Sequence, residues 1–253
     1  MAERITGGRT ARTRRTAERS DAGRPPQSFG WAKARPWRGD RTTAHLVLSD
    51  RVPREPSTVE SCLGPLRRSG YRSVVTTAMQ PGDALAFVDA GFDVRERLHL
   101  LEHDLERIPN PTTSPRRLRR ARRGDRESVL GLDGLAFDDF WRLDEQGLRD
   151  ALQATPSVRF RIGESADGQL AAYSIIGRAG RQGYLQRVAV HPAARRQGWG
   201  VMLVVDALRW LVRHDVRRAL VNTQWTNDGA LALYEACGFR RLPAGLCVLD
   251  RAL

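Results

Sequence analysis

Between residues 44 and 103 apolar positions fall in short runs separated by polar turns, and the periods of those runs predict elements. The apolar run at 44–48 predicts a strand, 57–68 a helix capped by Ser57 or Thr58, and 71–77 a second strand. Residues 82–90 predict a short helix ended by Gly91, and 94–103 a closing strand. Farther on, 126–133 predicts a helix capped by Asp125, and 145–153 a second helix that stops before Thr155 and Pro156. Alternating stretches at 158–164 and 170–178, joined by Ala166, Asp167 and Gly168, predict a hairpin. A central strand follows at 184–190, and a long apolar helix at 201–212.

Between those last two elements lies the turn Arg195-Arg196-Gln197-Gly198-Trp199-Gly200, entered through His191 and Pro192. Two glycines between a strand and a helix let the main chain bend tightly, and the helix start then presents amides and a positive dipole end to an anion. The spacing fits neither the dinucleotide fingerprint Gly-x-Gly-x-x-Gly nor a P-loop, and no lysine is near.

Charge and composition narrow the possible classes. The net charge is +13, and +7 of it falls on residues 1–41, which are rich in Arg, Thr, Gly and Pro. Residues 1–40 are therefore expected to be a disordered basic tail. That tail lacks the apolar core of a secretory signal. Lys33 is the only lysine in the chain, so the arginine excess reads as compositional bias, and nucleic acid is not an expected partner. No apolar run is long enough for a membrane span. The three cysteines, Cys62, Cys237 and Cys247, have neither disulfide-framework nor zinc spacing, so no metal is expected, and a reducing cytoplasm is the simplest location. Residues 108–115, with three prolines, predict a semi-rigid linker.

Two motifs in order resemble the GCN5-related N-acetyltransferases (GNAT). The first is Arg195-x-x-Gly198-x-Gly200, similar to that family's acetyl-CoA signature. The second is Asn227-x-x-Ala230-x-x-x-Tyr234-x-x-x-Gly238-Phe239. The resemblance covers about 116–253 and implies an α/β (α+β) fold, a mixed, mostly antiparallel sheet flanked by helices, with its first strand inside 116–123. Within 80–92, the stretch Gln80-Pro81-Gly82 to Ala90-Gly91-Phe92 repeats 227–239 at a constant offset, and 98–104 echoes 246–250. Residues 41–107 thus look like a degenerate half-domain of the same type, with Gln80 where Asn227 stands, Phe87 where Tyr234 stands, and no anion turn.

The resemblance implies acetyl transfer from acetyl-CoA to a primary amine, either a small molecule or a peptide N-terminus. Its pyrophosphate would sit on main-chain amides of the turn, between Arg196 and Val201, with Arg195 and Arg196 adding charge. The family's central strand, here Val188, Ala189 and Val190, splays from its neighbour to pair with the pantetheine arm. Tyr234 is the implied proton donor to the departing thiolate, and Asn227 a helix cap or cofactor ligand. On the acceptor side the implied wall is Phe137, Phe140 and Trp141, with Asp138, Asp139 or Asp144 attracting an ammonium group. Ribosomal-protein alanine acetyltransferases, which share the second motif, carry a glutamate where register puts Asn222, leaving Glu164, the acids near Asp138, or water as bases. A catalytically weak acetyl-CoA-binding regulatory module is the alternative. Oligomeric state is not legible.

Overall fold

A computed structural model describes residues 26–110 and 117–253; the expected tail at 1–25 and most of the expected linker (111–116) lie outside the described residues. Twelve strands form one sheet. In chain order the elements are β1 (Gln27–Ser28), β2 (Ala32–Trp37), β3 (Asp40–Leu48), α1 (Pro56–Arg68), β4 (Ser73–Thr76), α2 (Pro81–Asp89) and β5 (Asp93–His103). After the gap come β6 (Leu118–Arg120), α3 (Arg126–Ala136), α4 (Glu145–Gln153), β7 (Ser157–Glu164), β8 (Leu170–Ala179) and β9 (Gln182–Val190). The last group is α5 (Trp199–Val212), β10 (Arg218–Gln224), α6 (Asp228–Ala236), β11 (Arg240–Arg241) and β12 (Leu246–Ala252). No helix among the described residues is long and apolar enough to cross a membrane.

The expected disorder over 1–40 is corrected for residues 27–40. Trp31, Ala32 and Ala34 are buried, and β2 pairs along β3 from Ala32↔Leu48 to Trp37↔Asp40. The apolar side of β2 is made largely of alanines, whose small burial gain leaves little signal beside Lys33, Arg35 and Pro36. Closing that side, Trp31 meets Phe87 edge-on at 5.8 Å, and the pair helps build a core with Leu46, Val59, Leu66 and Phe92.

The sheet order is β1-β2-β3-β4-β12-β5-β10-β9-β8-β7-β6, with β11 pairing separately to β5. The two closing strands are exchanged between the halves of the chain. β5, from the first half, pairs antiparallel with β10, Leu101 facing Val221. β12, from the end of the chain, pairs with β4, Asp250 facing Val75, and lies beside β5. Neither half therefore holds its own complete sheet, and the expected boundary near residue 107 does not separate two pairing units. β6 sits at the far edge, where Arg119 is bound to Asp125 (2.8 Å) and Glu164 (2.6 Å).

Helix α5 packs Leu203, Val204, Leu208 and Leu211 into the sheet. Its first residue, Trp199, is 2% exposed and packs over Gly163 of β7; a Cβ there would lie 2.4 Å from the Trp199 ring. That contact pins the start of α5, where the anion turn ends.

Candidate active site

Strand β9 leaves β10 part-way along its length. The two are parallel and pair only from Arg218↔Gln182 to Leu220↔Tyr184, whereas β9 stays paired with β8 as far as Ala172↔Val190. Past Tyr184, one edge of β9 is free of its parallel neighbour. A bulge adds to the divergence: Ile175 faces Arg187 and Ile176 faces Leu185, leaving Gln186 as the extra residue.

Along that edge runs a cleft of about 580 Å³, lined by Val188, Ala189 and Val190, by the turn before α5, and by the inner face of α6. The turn is built locally. His191 Nδ1 accepts from the amide of Ala193 (3.2 Å), a 3₁₀ turn covers Pro192–Ala194, and Arg196 (φ 61°) and Gly198 (φ 86°) reverse the chain. The first bond inside α5 runs from Met202 N to Gly198 O (3.1 Å), so the amides of Gly200 and Val201 have no partner within the helix. Gly200 lets α6 approach, since a Cβ would lie 2.9 Å from Leu233 Cδ2. The arrangement presents free amides at the positive end of a helix, the geometry that suits an anion.

A second cavity, about 220 Å³, opens on the other side of the same point and shares Phe137, Val188, Asn227, Ala230 and Tyr234 with the cleft. Asn227 caps α6, its Oδ1 accepting from Ala230 N at 3.0 Å. Two turns on, Tyr234 is buried against Phe239, with ring centres 5.7 Å apart. Burial, and to a lesser degree Cys237, raise its pKa well above the ordinary phenol value, with Arg187 pulling the other way. The hydroxyl is protonated at neutral pH.

These features match what sequence comparison finds. Residues 131–239 match the model of the acetyltransferase (GNAT) family. This segment belongs to the GNAT family. Over 61 residues the chain is 41% identical to N-alpha-acetyltransferase 30 of Xenopus laevis and of Homo sapiens, a match covering 24% of this chain but only 22% and 17% of those proteins. By fold, the chain is similar to a tandem GNAT protein from the clavulanic acid biosynthesis pathway, with TM-score 0.65, 15% identity, and coverage of 87% of this chain and 78% of that one. It is also similar to a GCN5-related N-acetyltransferase from Kribbella flavida, with TM-score 0.60, 17% identity, and coverage of 90% and 89%.

In the GNAT segment, most of the residues expected to hold the cofactor line the cleft: Val188, Ala189, Val190, Arg195, Arg196, Gly198, Trp199, Gly200 and Asn227. Gln197 does not, because its side-chain amide turns back to donate to Ala193 O (3.1 Å). Trp199 lines the cleft although its ring packs with Ala171, Ala172 and Leu203.

On the acceptor side, Phe137, Trp141 and Asn222 line the smaller cavity, whereas Phe140 and Asp138 do not. Phe140 stacks on Trp37 (5.1 Å) under the Arg95 guanidinium (4.2 Å). Asp138 accepts from Trp141 N (3.0 Å), Asp139 pairs with Arg142 (3.0 Å), and Asp144 caps α4 through Gly147 N (2.7 Å). Each of the three acids has a local partner, and none lines the smaller cavity. Glu164 is likewise held by Arg119, whose hydrogen bond lowers its pKa, and it lines neither cavity.

Three residues of this region were not foreseen. Arg187 lines the acceptor cavity and grips the fully buried Asp133, Nε to Oδ2 and Nη2 to Oδ1, both 2.8 Å. The Asp133 carboxylate also accepts from Tyr173 OH and from Leu143 N (2.5 Å). Arg187 further donates to Trp141 O (2.7 Å) and lies 3.4 Å from the Phe137 ring centre, fixing the aromatic wall. The third residue is Arg38, from the turn between β2 and β3. An Arg-Gly pair between two alternating stretches was the one available signal for that hairpin. Among the described residues, no group of three or more His, Cys, Asp or Glu side chains could hold a metal ion.

Proposed function

We propose that the chain is an N-acetyltransferase that moves the acetyl group of acetyl-CoA to a primary amine. The observation that carries this reading is the meeting of two cavities at Tyr234 and Asn227, one ending at a helix N-terminus and the other walled by Phe137 and Trp141. The residues fit the parts of the co-substrate. Amides of Gly200 and Val201, with the Arg195 and Arg196 charges, suit a pyrophosphate. The open edge of β9 suits the amide-bearing pantetheine arm, taken up like an added strand. Acetyl-CoA supplies the activated thioester.

The chain's own residues then have three tasks. Main-chain groups of β9 orient the acyl donor. Tyr234, protonated and buried, is the proton source for the departing thiolate. The acceptor cavity, where no Asp or Glu is among the lining residues and Arg38 is, disfavours an ammonium ion and so favours the neutral amine that can attack. A neutral amine attacks without a carboxylate base, and the proton it sheds as the amide forms replaces the one Tyr234 gives to the thiolate. The three free, buried thiols accord with a reducing compartment such as the cytoplasm.

The second reading, a module that binds acetyl-CoA without turnover, draws on the same missing carboxylate and on Asn222, which lines the cavity where the resembling family has glutamate. Calorimetric titration with acetyl-CoA tests both readings together, and absence of binding overturns both. Release of free thiol over a panel of amines separates them: turnover supports the enzyme, and binding without turnover supports the module.

A further inference from the structure

The hairpin joining β2 to β3 turns on Arg38 and Gly39, both with positive φ (45° and 79°), the geometry of a two-residue type I′ turn. Asparagine or aspartate before glycine suits this turn. Arginine at the first position is held in a left-handed conformation that crowds its Cβ against the following carbonyl. A non-glycine residue kept in such a conformation points to a role for its side chain.

That side chain reaches across to the other half of the chain. Its Nη1 donates to the carbonyls of Phe140 (3.0 Å) and Arg142 (2.8 Å), and its guanidinium lies 4.4 Å from the Trp37 ring centre and 5.6 Å from that of Trp141. Both hydrogens of Nη1 are thereby used. Among the described residues Nε and Nη2 have no hydrogen-bond acceptor, and Arg38 makes no ion pair within 4.0 Å. Arg187 in the same cavity is already neutralised by Asp133, and no Asp or Glu is among the lining residues. Burial, then the Arg187 charge, bring the Arg38 pKa down to about 10 against the opposing pull of Asp133, Asp144 and Asp138, which leaves it cationic at neutral pH.

We propose that Arg38 recognises a carboxylate on the acceptor, so that the acceptor is a small amine carrying a carboxyl group. This rests on the acetyl-transfer reading of the same site. The free Nε–Nη2 edge of Arg38 is the edge with which Arg187 holds Asp133, and it matches a carboxylate with two parallel hydrogen bonds. Asp133, Asp144 and Asp138 act on Arg38 only through space, and an anionic acceptor would supply the direct partner that they do not. A cavity of about 220 Å³ is below the roughly 300–1,000 Å³ of drug-sized sites, which suits a small acceptor. The first half of the chain thereby sets specificity for chemistry carried by the second.

The experiment compares matched acceptors: an amino acid, its primary amide, its decarboxylated amine and the corresponding aminoalkyl phosphate. Each is assayed by thiol release and, independently of turnover, by calorimetric affinity in the presence of CoA. The amino acid is expected to exceed its amide about 10–100-fold in kcat/KM or in affinity. Arg38→Asn suits the turn and so keeps the fold. It should bring that ratio to within about threefold, through KM for the carboxylate acceptor, leaving acetyl-CoA affinity unchanged. Equal handling of amino acid and amide by the unsubstituted protein, or an equal loss for both in the variant, overturns the proposal while leaving acetyl transfer intact. A preference for the phosphate overturns the carboxylate assignment. Absence of acetyl-CoA binding is the failure of the underlying reading instead.

Discussion

Arg187 holds Asp133, the one buried carboxylate among the described residues, by two parallel hydrogen bonds of 2.8 Å. The pair ties β9 to α3 directly behind the acceptor cavity. Removing one partner leaves an uncompensated charge in the interior, so Asp133→Ala is expected to cost about 3–5 kcal/mol of stability. Urea unfolding checks it. The double variant Asp133→Leu with Arg187→Met should be less destabilised than Asp133→Ala alone, since no charge is stranded.

Tyr234→Phe removes a hydroxyl and keeps the ring packed on Phe239. Loss of a positioned proton donor lowers turnover by about 10²-fold or more. Acetyl-CoA affinity should stay within about threefold, because the cleft wall is unchanged. Steady-state kinetics beside calorimetry separate the two effects, and a fall in affinity that matched the fall in kcat would point to packing alone.

Gly163→Ala tests the seat of α5 from a distance. The added methyl would lie 2.4 Å from a Trp199 ring carbon, and a buried indole cannot swing aside. The start of α5 must shift, with the amides that line the cleft. Acetyl-CoA affinity should fall at least tenfold while the fold, followed by circular dichroism, survives. Retained affinity would mean that the anion seat does not depend on Trp199.

His45 gives stability a pH dependence. Its ring meets Trp37 edge-on at 4.7 Å; burial first, then Arg35 and Arg38, depress its pKa from 6.5 to about 3. The unfolded chain takes up this proton near pH 6.5 and the folded chain only near pH 3. Stability is therefore whole above about pH 6.5 and falls as pH drops toward 3, by no more than about 1.4 kcal/mol per pH unit. In His45→Gln the melting temperature should change less over that window.

Most elements after residue 40 were legible from local pattern: the alternation of β7, the apolar stretch of β8, which is buried on both faces, and the run of α5. The cleft was legible too, since Gly198 is required at φ 86° and Asn227 caps α6 where its side chain suggested. Three things were hidden. β2 buries alanines and carries Pro36, so its pattern resembled that of a loop. Asp138 and its neighbours had a charge pattern fit for an ammonium ion, yet none of them lines the smaller cavity, a placement set by contacts distant in sequence. Arg38 reaches Phe140 across a separation of 102 residues, a contact without local trace.

Separating the halves tests the exchange of β5 and β12. Residues 117–253 expressed alone would expose the β10 edge that Leu100 and Leu101 cover, and would carry β12 without its β4 partner. Such a fragment is expected to aggregate, and co-expression with residues 26–110 should return it to solution. A soluble, cooperatively folded fragment would show that the exchanged strands are dispensable.

The same exchange governs how the protein is born. β4 emerges from the ribosome early but waits for β12, the last seven-residue strand of the chain, to cover its open edge. At roughly 5–20 residues per second that interval is about 10 s or more, during which a nascent sheet edge is exposed. Any nonsense or frameshift change removing residues 246–252 should therefore unravel the half made first.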